Sequence, residues 1–469
     1  MYKIGALTSK ISAFKTRPWE LKYVPSIDLH DTLGSKLLLN VKGRKVLRAV
    51  PSYNPNLQIE WASDKSRYTH EAYSKNRLSS PAFKALVKTP SGKLTSVYKK
   101  VNTYTYVQTL IQSWLATQSN FDLVVGTNLS LDFYIDLKEQ GRKLGVDVCN
   151  ERSNFLSKTF NNSLLSTLNL KDLDQVESCQ FLGVNIKLES PIANLIFRLR
   201  YLRGNFKTKF FGCADDLNIN TKNYGSKALN LQNFAFGKHI QNTYSQTKSL
   251  VVYGDSCSER QDCNSLLNLL GKLCKKEFFY IRLSTHLGIL GQDYLNYKSW
   301  KEKNNTYFVS PNYETSMSLV KNKQFLIGNT HLQEFLKRAD FFYPISSYLE
   351  KNTLYLGYDG KLNYSYKAIN PYNTCLKKVK DILPILNSKS FFKKTFGPWK
   401  KTNTQLIIKN CTFVFNPKNC NNFGQPLKVL KSPLKTYISN AYTPLPKLKI
   451  SSTLMQLTNY YVSNHFSFL

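Results

Sequence analysis

The sequence predicts an α/β fold in which a small β-rich N-terminal lobe precedes two α/β layers and an irregular C-terminal tail. Three observations lead to this prediction. Two apolar runs flank a Lys42-Gly43 turn, which is typical of a hairpin. From about residue 120, apolar strands alternate with helical patterns, as in parallel sheets covered on both faces. Residues 401–469 are rich in Asn, Lys, Pro and Ser, with only short apolar runs.

The first lobe is predicted over residues 1–80, and its hairpin lies within DTLGSKLLLNVKGRKVLRAVP (31–51). The first α/β domain is predicted over 81–250. Within it, FDLVVGTN (121–128) reads as a strand followed by a helix, and Ser190 with Pro191 forms the start of a second helix. Further strands are expected at CQFLGVN (179–185) and KFFGCA (209–214).

The second α/β domain is predicted over 251–400, and the remainder, 401–469, is a C-terminal extension. SLVVYGDS (249–256) is a predicted strand, and Ser258 with Gln261 forms a capping box that predicts a helix start. Cys263 and Cys274 lie at helical spacing with three leucines, which favours a core position. The remaining predicted strands are FFYIRL (278–283), TYFVS (306–310), QFLIGNT (324–330) and DFFYPI (340–345).

The charge is strongly basic, with 65 Lys and Arg against 30 Asp and Glu, a net charge of +35. Three explanations remain open at this point: a nucleic-acid binder, a subunit that meets acidic neighbours, or the coding bias of an AT-rich gene. The apolar fraction of 42% is ample for packed cores in several domains. The sequence has no run of eighteen apolar residues, so no membrane span is predicted.

The nine cysteines and six histidines show no ligand spacing. No C-x-x-C pair occurs, which predicts free thiols in a reducing compartment and argues against a metal or iron–sulfur site. No phosphate-binding glycine motif and no G-x-S-x-G nucleophile motif is present. Asp255 with Glu259, and Asp340 with Glu350, are acid pairs without a neighbouring histidine. We therefore predict no catalytic, cofactor-binding or metal-binding residue.

Several collinear stretches resemble one protein family. They are GALTSKISAFKTRPWE (5–20), SIDLHDTLGSKLLLN (26–40), EWASDKSRYTHEAYSKNRL (60–78), VVGTNLSLDFYIDLKE (124–139), CQFLGVNIKLESPIANLIFRLR (179–200), VVYGDSCSERQD (251–262), LGILGQDYL (287–295) and RADFFYPISSYLEKNTLYLGYDGK (338–361). Together they are similar to the C-terminal, molybdopterin-oxidoreductase-like half of the large iron–sulfur subunit of respiratory complex I, the NADH:ubiquinone oxidoreductase. The resemblance covers roughly residues 4–385.

The resemblance implies Rossmann-like α/β layers of the molybdopterin-oxidoreductase type and a lobe similar to a cluster-free 4Fe-4S Mo/W bis-MGD-type domain. Residues 1–148 contain no cysteine, so the implied cofactor content of this chain is none. Iron–sulfur clusters and FMN are then expected in partner subunits. The implied partners are a separate N-terminal iron–sulfur half and other peripheral-arm subunits, with no nucleic acid and no direct membrane span.

The implied function is that of a structural, accessory core subunit of the peripheral (matrix) arm. It supports electron transfer from NADH to ubiquinone without its own redox centre, as part of a proton-translocating enzyme. The alternatives are a catalytic molybdopterin oxidoreductase and a basic nucleic-acid-binding protein. Lys10, Arg17, Trp19 and Glu20 are the expected inter-chain contacts, because the missing half joins there in the resembled subunit.

The first nineteen residues have the composition of a mitochondrial transit peptide, with four basic side chains and no acid. The resemblance instead assigns them to the folded body. The expected location is therefore the matrix side of the mitochondrial inner membrane, with the chain encoded in the mitochondrial genome.

Overall fold

The computed structural model describes most of the chain between residues 12 and 371. The described residues are 12–54, 57, 59–74, 76–88, 94–100, 111, 121–151, 168–212, 217–227, 230, 233, 248–265, 278–300, 306–311, 325–331, 336 and 339–371. The predicted extension at 401–469 and the contact residue Lys10 lie outside them.

The described part contains eighteen strands and six α-helices, with two 3-10 helices at Pro18–Glu20 and Leu170–Gln175. The strands are β1 Lys22–Ile27, β2 Lys36–Lys42, β3 Lys45–Pro51, β4 Ala82–Lys88, β5 Leu94–Lys100, β6 Asp122–Val125, β7 Val148–Asn150, β8 Ser178–Leu182, β9 Lys207–Phe211, β10 Lys222–Asn223, β11 Ser249–Tyr253, β12 Phe278–Arg282, β13 Lys298–Ser299, β14 Thr306–Val309, β15 Phe325–Asn329, β16 Phe341–Pro344, β17 Thr353–Leu356 and β18 Leu362–Ser365. The helices are α1 Asp64–Ser74, α2 Leu131–Leu144, α3 Ile186–Glu189, α4 Pro191–Leu202, α5 Asp255–Ser258 and α6 Gly288–Tyr294.

The N-terminal lobe is a three-stranded antiparallel sheet in the order β1-β2-β3, with α1 packed on β3. The predicted hairpin is confirmed: β2 and β3 pair across the turn, and Gly43 has φ +62°, a conformation that glycine adopts without a Cβ clash. Alternate residues of β1 and β2 are buried, including Val24, Leu39 and Val41. This face packs against Leu349 of the later chain.

Two larger sheets form the body of the molecule. One has eight strands in the order β13-β7-β6-β14-β15-β16-β4-β5, and it is parallel except where β4 pairs with β16 and with β5. The other has five parallel strands in the order β10-β9-β8-β11-β12. Strands β6, β8, β11 and β14 are buried along their whole length, as expected of parallel strands covered on both faces. The α/β prediction is therefore confirmed.

The two large sheets interleave along the chain. The eight-stranded sheet takes its strands from both before and after the five-stranded sheet, which is formed entirely between residues 178 and 282. Strands on both sides of residue 250 therefore share one sheet, because β11 pairs with β8 on one side and β12 on the other. The domain limits at 80, 250 and 400 stay predictions, and the strand pairing gives no break at 250.

One helix-start prediction is wrong, and the other is confirmed except for its side-chain cap. Ser258 is the last residue of α5, which begins at Asp255, so Ser258 does not begin a helix. Its hydroxyl donates to the Asp255 carbonyl oxygen at 2.9 Å. α4 does begin after Ser190, with Pro191 at its first position, but the Ser190 side chain makes no cap hydrogen bond. That hydroxyl has a partner from the N-terminal lobe, described below.

A buried ion pair ties the end of the N-terminal lobe to the eight-stranded sheet. Arg77 Nε and Nη2 donate to the two carboxylate oxygens of Glu350 at 3.1 and 2.6 Å. The same guanidinium donates to the carbonyl oxygens of Thr330, Leu78 and Ile345, so its donors are satisfied within the chain. The side chains of Arg77 and Glu350 are 6% and 2% exposed.

We predict that Arg77→Met lowers the free energy of unfolding by about 3–5 kcal/mol, because it leaves the Glu350 carboxylate buried without its counter-charge. Urea titration followed by far-UV circular dichroism measures the change. The matched control is Lys298→Met, which breaks the exposed 3.1 Å pair with Asp147. That control is expected to cost about 0–1 kcal/mol. Equal losses in the two variants would contradict the structural role of the buried pair.

Candidate functional site

The predicted contact residues lie on the surface before β1. Trp19 is in the 3-10 helix Pro18–Glu20 and is 80% exposed, an unusual position for a tryptophan in a folded lobe. Glu20 accepts from the Arg17 backbone N–H at 3.1 Å and from Lys42 Nζ at 2.8 Å, and these bonds lower the pKa of its carboxyl. Arg17 is also exposed.

The loop between β1 and β2 has the opposite character. We call residues 28–35, DLHDTLGS, the insertion loop, and all of them are buried although most are polar. The Asp28 N–H donates to the Ser35 carbonyl oxygen at 2.9 Å, which closes the loop at its base. Gly34 has φ +58°, and a Cβ there would lie 2.6 Å from the Asn363 side-chain nitrogen. The loop is therefore tightly packed, and there is no room for a larger residue at Gly34.

The insertion loop packs against segments that follow β12 and β17. The Leu287 N–H donates to the Leu29 carbonyl oxygen at 3.0 Å, and the Tyr358 N–H donates to the Thr32 carbonyl oxygen at 3.1 Å. The Ser284 N–H donates to Thr32 Oγ1 at 3.3 Å. Since Ser284 lies two residues after the end of β12, the loop lies at the carboxyl edge of the five-stranded parallel sheet. This edge is where open α/β sheets form ligand crevices.

Acidic side chains converge at the same edge. Ser190, which follows β8 and α3, donates its hydroxyl to the Asp31 carboxylate at 2.7 and 2.8 Å. Asp28 accepts from the Ser66 hydroxyl at 2.5 Å. Asp255, which begins α5 after β11, accepts from Ser284 Oγ and lies 3.5 Å from Arg282 Nη2.

One lysine lies among these carboxylates. The partly buried Lys65 of α1 donates its ammonium to the Glu189 carbonyl oxygen at 3.2 Å. Burial lowers the pKa of Lys65, while the charges of Asp31, Asp28, Glu189 and Asp255 oppose that change. Arg282 is engaged by Asp293 in a second buried pair at this edge. Both cations are therefore bonded within the chain.

Burial sets the protonation of the insertion loop. It raises the pKa of Asp31 to about 7, with Asp28 adding to the rise and the Leu33 and Ser190 hydrogen bonds opposing it. It lowers the pKa of His30 to about 4, so this imidazole is neutral at pH 7. His30 and His286 rings meet edge to face at 6.2 Å between centroids. Near neutral pH the loop therefore carries less charge than its sequence suggests.

The two acid pairs considered from the sequence were Asp255 with Glu259 and Asp340 with Glu350. The structure does not arrange them as acid and base. Asp255 bonds to the β12 segment, and Glu350 bonds to Arg77. In the described part of the chain, Cys149, Cys179, Cys257 and Cys263 are buried and form no disulfide bond. Within that same part, no group of three or more His, Cys, Asp and Glu side chains is arranged to hold a metal ion. Nor does any described helix have the length and hydropathy of a membrane span.

Sequence reasoning missed the insertion loop. Its polar composition is that of a surface turn, and only the run of apolar residues on either side, such as Ile27 and Leu37, signalled buried strands. It also missed Arg77 with Glu350, whose 273-residue separation carries no local signal. Several of the polar contacts that organise the interior join residues far apart in the sequence, such as Ser190 with Asp31.

Three relatives show what the chain is similar to. It is 26% identical over 405 residues to the NADH-ubiquinone oxidoreductase 75 kDa subunit of Reclinomonas americana, covering 78% of this chain and 57% of that protein. It is 23% identical to an NADH-quinone oxidoreductase subunit of Rickettsia felis, covering 82% and 58%. It is 26% identical to the mitochondrial NADH-ubiquinone oxidoreductase 78 kDa subunit of Candida albicans, covering 78% and 52%. The chain thus spans little more than half the length of these relatives.

The prediction that this chain carries no cofactor is wrong. Residues 21–71 match the family described as "NADH-ubiquinone oxidoreductase NDSU1/NuoG-like, 4Fe-4S domain", which points to an iron–sulfur cluster in this chain. The prediction depended on counting cysteines, whereas the match follows the pattern of the whole lobe. The residue types in the matched range do not fit thiolate ligation, since none of them is cysteine. We derive no electron-transfer step through a cluster.

A second family, molybdopterin oxidoreductase, matches residues 93–377. Molybdopterin is a pterin that carries a phosphate, so its site needs unengaged donors or cations. The carboxyl edge of the five-stranded sheet instead presents the insertion loop together with Asp28 and Asp255. Carboxylates repel a phosphate, and Lys65 and Arg282 are bonded within the chain. The residues at this edge do not fit the group, and no reaction step is derived through it.

We predict that Asp31→Asn changes how stability depends on pH. Because the folded chain holds a proton on Asp31 up to about pH 7, which the unfolded chain releases near pH 4, wild-type stability falls as pH rises through this window. The variant has no proton to lose at this position. Its free energy of unfolding relative to wild type should therefore rise by up to about 1.4 kcal/mol per pH unit between pH 4 and 7.

Urea titrations at several pH values measure this difference. Thr32→Val is the matched control, because it removes the bond from the Ser284 N–H without adding or removing a titrating group. Its stability loss should be the same at every pH. Parallel profiles for Asp31→Asn and wild type would contradict the assignment.

The comparisons and the fold agree on the family. The molybdopterin oxidoreductase match spans more than half of the 469 residues and includes every strand of the five-stranded sheet and all strands of the eight-stranded sheet except β4. The three relatives align over 78–82% of the chain. The chain therefore belongs to the molybdopterin oxidoreductase family.

Proposed function

We propose that this chain is a structural subunit of the peripheral arm of respiratory complex I, where it supports electron transfer from NADH to ubiquinone. The observation that carries this proposal is the continuous similarity, over 405 residues, to a subunit of an NADH-ubiquinone oxidoreductase. Mitochondrial proteins are among the relatives, which supports a mitochondrial location. Shared descent along most of the chain favours a shared place in the assembly.

The geometry supports a structural role. At the carboxyl edge of the five-stranded sheet, carboxylates, hydroxyls and cations bond to one another across the lobe and the sheet, as Ser190 does with Asp31. We therefore place the catalytic residues of the reaction in other subunits. The groups at this edge act by holding the lobe on the sheet, and the molecule works through the surfaces that it offers to neighbouring chains.

The proposal also includes the finer features of the assembly. The N-terminal part that completes the length of the relatives is a separate polypeptide, and it joins this chain near Lys10, Arg17, Trp19 and Glu20. The complex faces the matrix side of the mitochondrial inner membrane, and this chain is encoded in the mitochondrial genome. The exposure of Trp19 supports a contact at this place, because interfaces are enriched in such aromatic side chains.

We predict that depletion of this chain reduces NADH:ubiquinone reductase activity of mitochondrial membranes to the inhibitor-insensitive background. The physical reason is that an arm lacking a core subunit does not assemble. Native gel electrophoresis with an in-gel NADH dehydrogenase stain measures assembly, and succinate oxidation serves as the internal control. A full-size, active complex in depleted membranes would contradict the proposal.

We predict that Trp19→Ala weakens retention of the chain in the assembly, with a cost of about 2 kcal/mol or roughly thirtyfold in affinity. Trp61→Ala is the matched control, because Trp61 is also exposed, at 62%, and was not predicted to be a contact. Co-purification from membranes at increasing salt measures the difference. Identical retention of the two variants would place the contact elsewhere.

A further inference from the structure

One end of the N-terminal lobe carries a dense set of positive charges. We call it the hairpin-end surface, and its cations are Arg17, Lys22, Lys42, Arg44 and Lys45, all of them exposed. Pairing brings them together: Lys22 lies opposite Val41 in β1 and β2, and Lys42 lies opposite Lys45 across the hairpin. Lys42 Nζ lies 2.8 Å from Glu20 Oε2, which joins the 3-10 helix to the hairpin.

Glu20 is the sole acid among these cations, and its charge is already shared with Lys42. In the described part of the chain, no carboxylate lies within ion-pair distance of Lys22, Arg44 or Lys45. A cluster of like charges on one small lobe raises the free energy of the isolated chain. An acidic group from outside the described residues would lower that free energy.

The two terminal segments of the same chain do not supply that charge. Residues 1–11 contain two lysines and no acid, and residues 372–469 contain fifteen lysines and a single aspartate. A second copy carries the same net charge of +35, so it too repels this surface. Charge complementarity thus excludes this chain's own tails and its own copies as favourable occupants.

The hairpin-end surface also has exposed aromatic side chains beside its cations. Trp19 is 80% exposed beside Glu20, and Tyr23 is 51% exposed in β1, opposite Asn40. Tryptophan, tyrosine and arginine are the residue types that contribute most to protein interfaces.

We infer that the hairpin-end surface docks an acidic segment of a different polypeptide, with Trp19 as the aromatic anchor and Arg17, Lys22, Arg44 and Lys45 as the charge partners. This inference rests on the proposed function, because it describes how the chain joins its assembly. It goes further because it specifies what the neighbouring polypeptide presents to this surface. That polypeptide has aspartate and glutamate side chains around an apolar recess, which accepts the Trp19 indole.

Zero-length crosslinking of the isolated native assembly tests the inference. A carbodiimide joins a lysine amine to a carboxylate only when the two are in direct contact. Peptide sequencing is expected to find Lys22 and Lys45 linked to aspartate or glutamate of another polypeptide. Lys99 and Lys100 of β5 are exposed lysines elsewhere on the chain and serve as internal controls. Links from Lys22 and Lys45 only to this chain, or no links at all, would overturn the inference.

Charge reversal provides the second arm. The double variant Lys22→Glu with Lys45→Glu should leave the assembly at lower salt than wild type, since repulsion replaces two attractions. Lys99→Glu with Lys100→Glu carries the same change in net charge and should elute as wild type. Circular dichroism of each full-length variant checks that the lobe is folded. Equal elution of the two double variants would overturn the inference.

The two experiments can fail independently of the proposed function. NADH dehydrogenase activity in the material that co-purifies with the chain reports on the proposed function alone. Activity together with no acidic crosslink refutes the docking chemistry and leaves the assembly role standing. An acidic crosslinked partner in material without that activity refutes the assembly role and leaves the docking chemistry standing. Ultraviolet crosslinking of the surface to nucleic acid would overturn the choice of a protein partner.

Discussion

The burial of a polar loop is the constraint on which the rest of the structure depends. The insertion loop places carboxylates, hydroxyls and backbone amides at the carboxyl edge of the five-stranded sheet, where water does not satisfy them. Each needs a partner from another part of the chain, and Ser190, Ser284 and Tyr358 supply such partners. Because these partners follow different strands, the loop has one position relative to the sheet. The lobe is thereby fastened to the body.

This arrangement separates the charges of the molecule. Several of the 30 acidic residues are buried and engaged, among them Asp28, Asp31, Asp255 and Glu350. In the described part of the chain many lysines and arginines stay at the surface, since long basic side chains keep their charged ends in water. The described surface is therefore strongly basic. A chain with a sealed polar interior and a basic exterior is suited to work through contacts with neighbouring molecules.

Local sequence patterns predicted most of the secondary structure. Apolar runs predicted β6, β8, β11, β14 and β16, because a strand buried on both faces must be apolar along its length. The Lys42-Gly43 turn was recognised because a left-handed residue is required there. The Ser258 helix start was wrong since the strand before it ends earlier and α5 begins at once at Asp255. The Ser190 hydroxyl does not cap its helix. It donates instead to the buried Asp31 carboxylate, which lies 159 residues away in the sequence.

The sequence by itself determined the α/β class, the basic charge and the family, because these depend on residue types and on spacing along the chain. Tertiary structure alone decided how the sheets interleave, that DLHDTLGS is buried rather than exposed, and that Arg77 meets Glu350. The physical reason is that a polar residue has no fixed preference for burial. Many polar residues are buried here because distant parts of the chain bring them a hydrogen-bond partner or an opposite charge, and no local pattern in the sequence indicates those contacts.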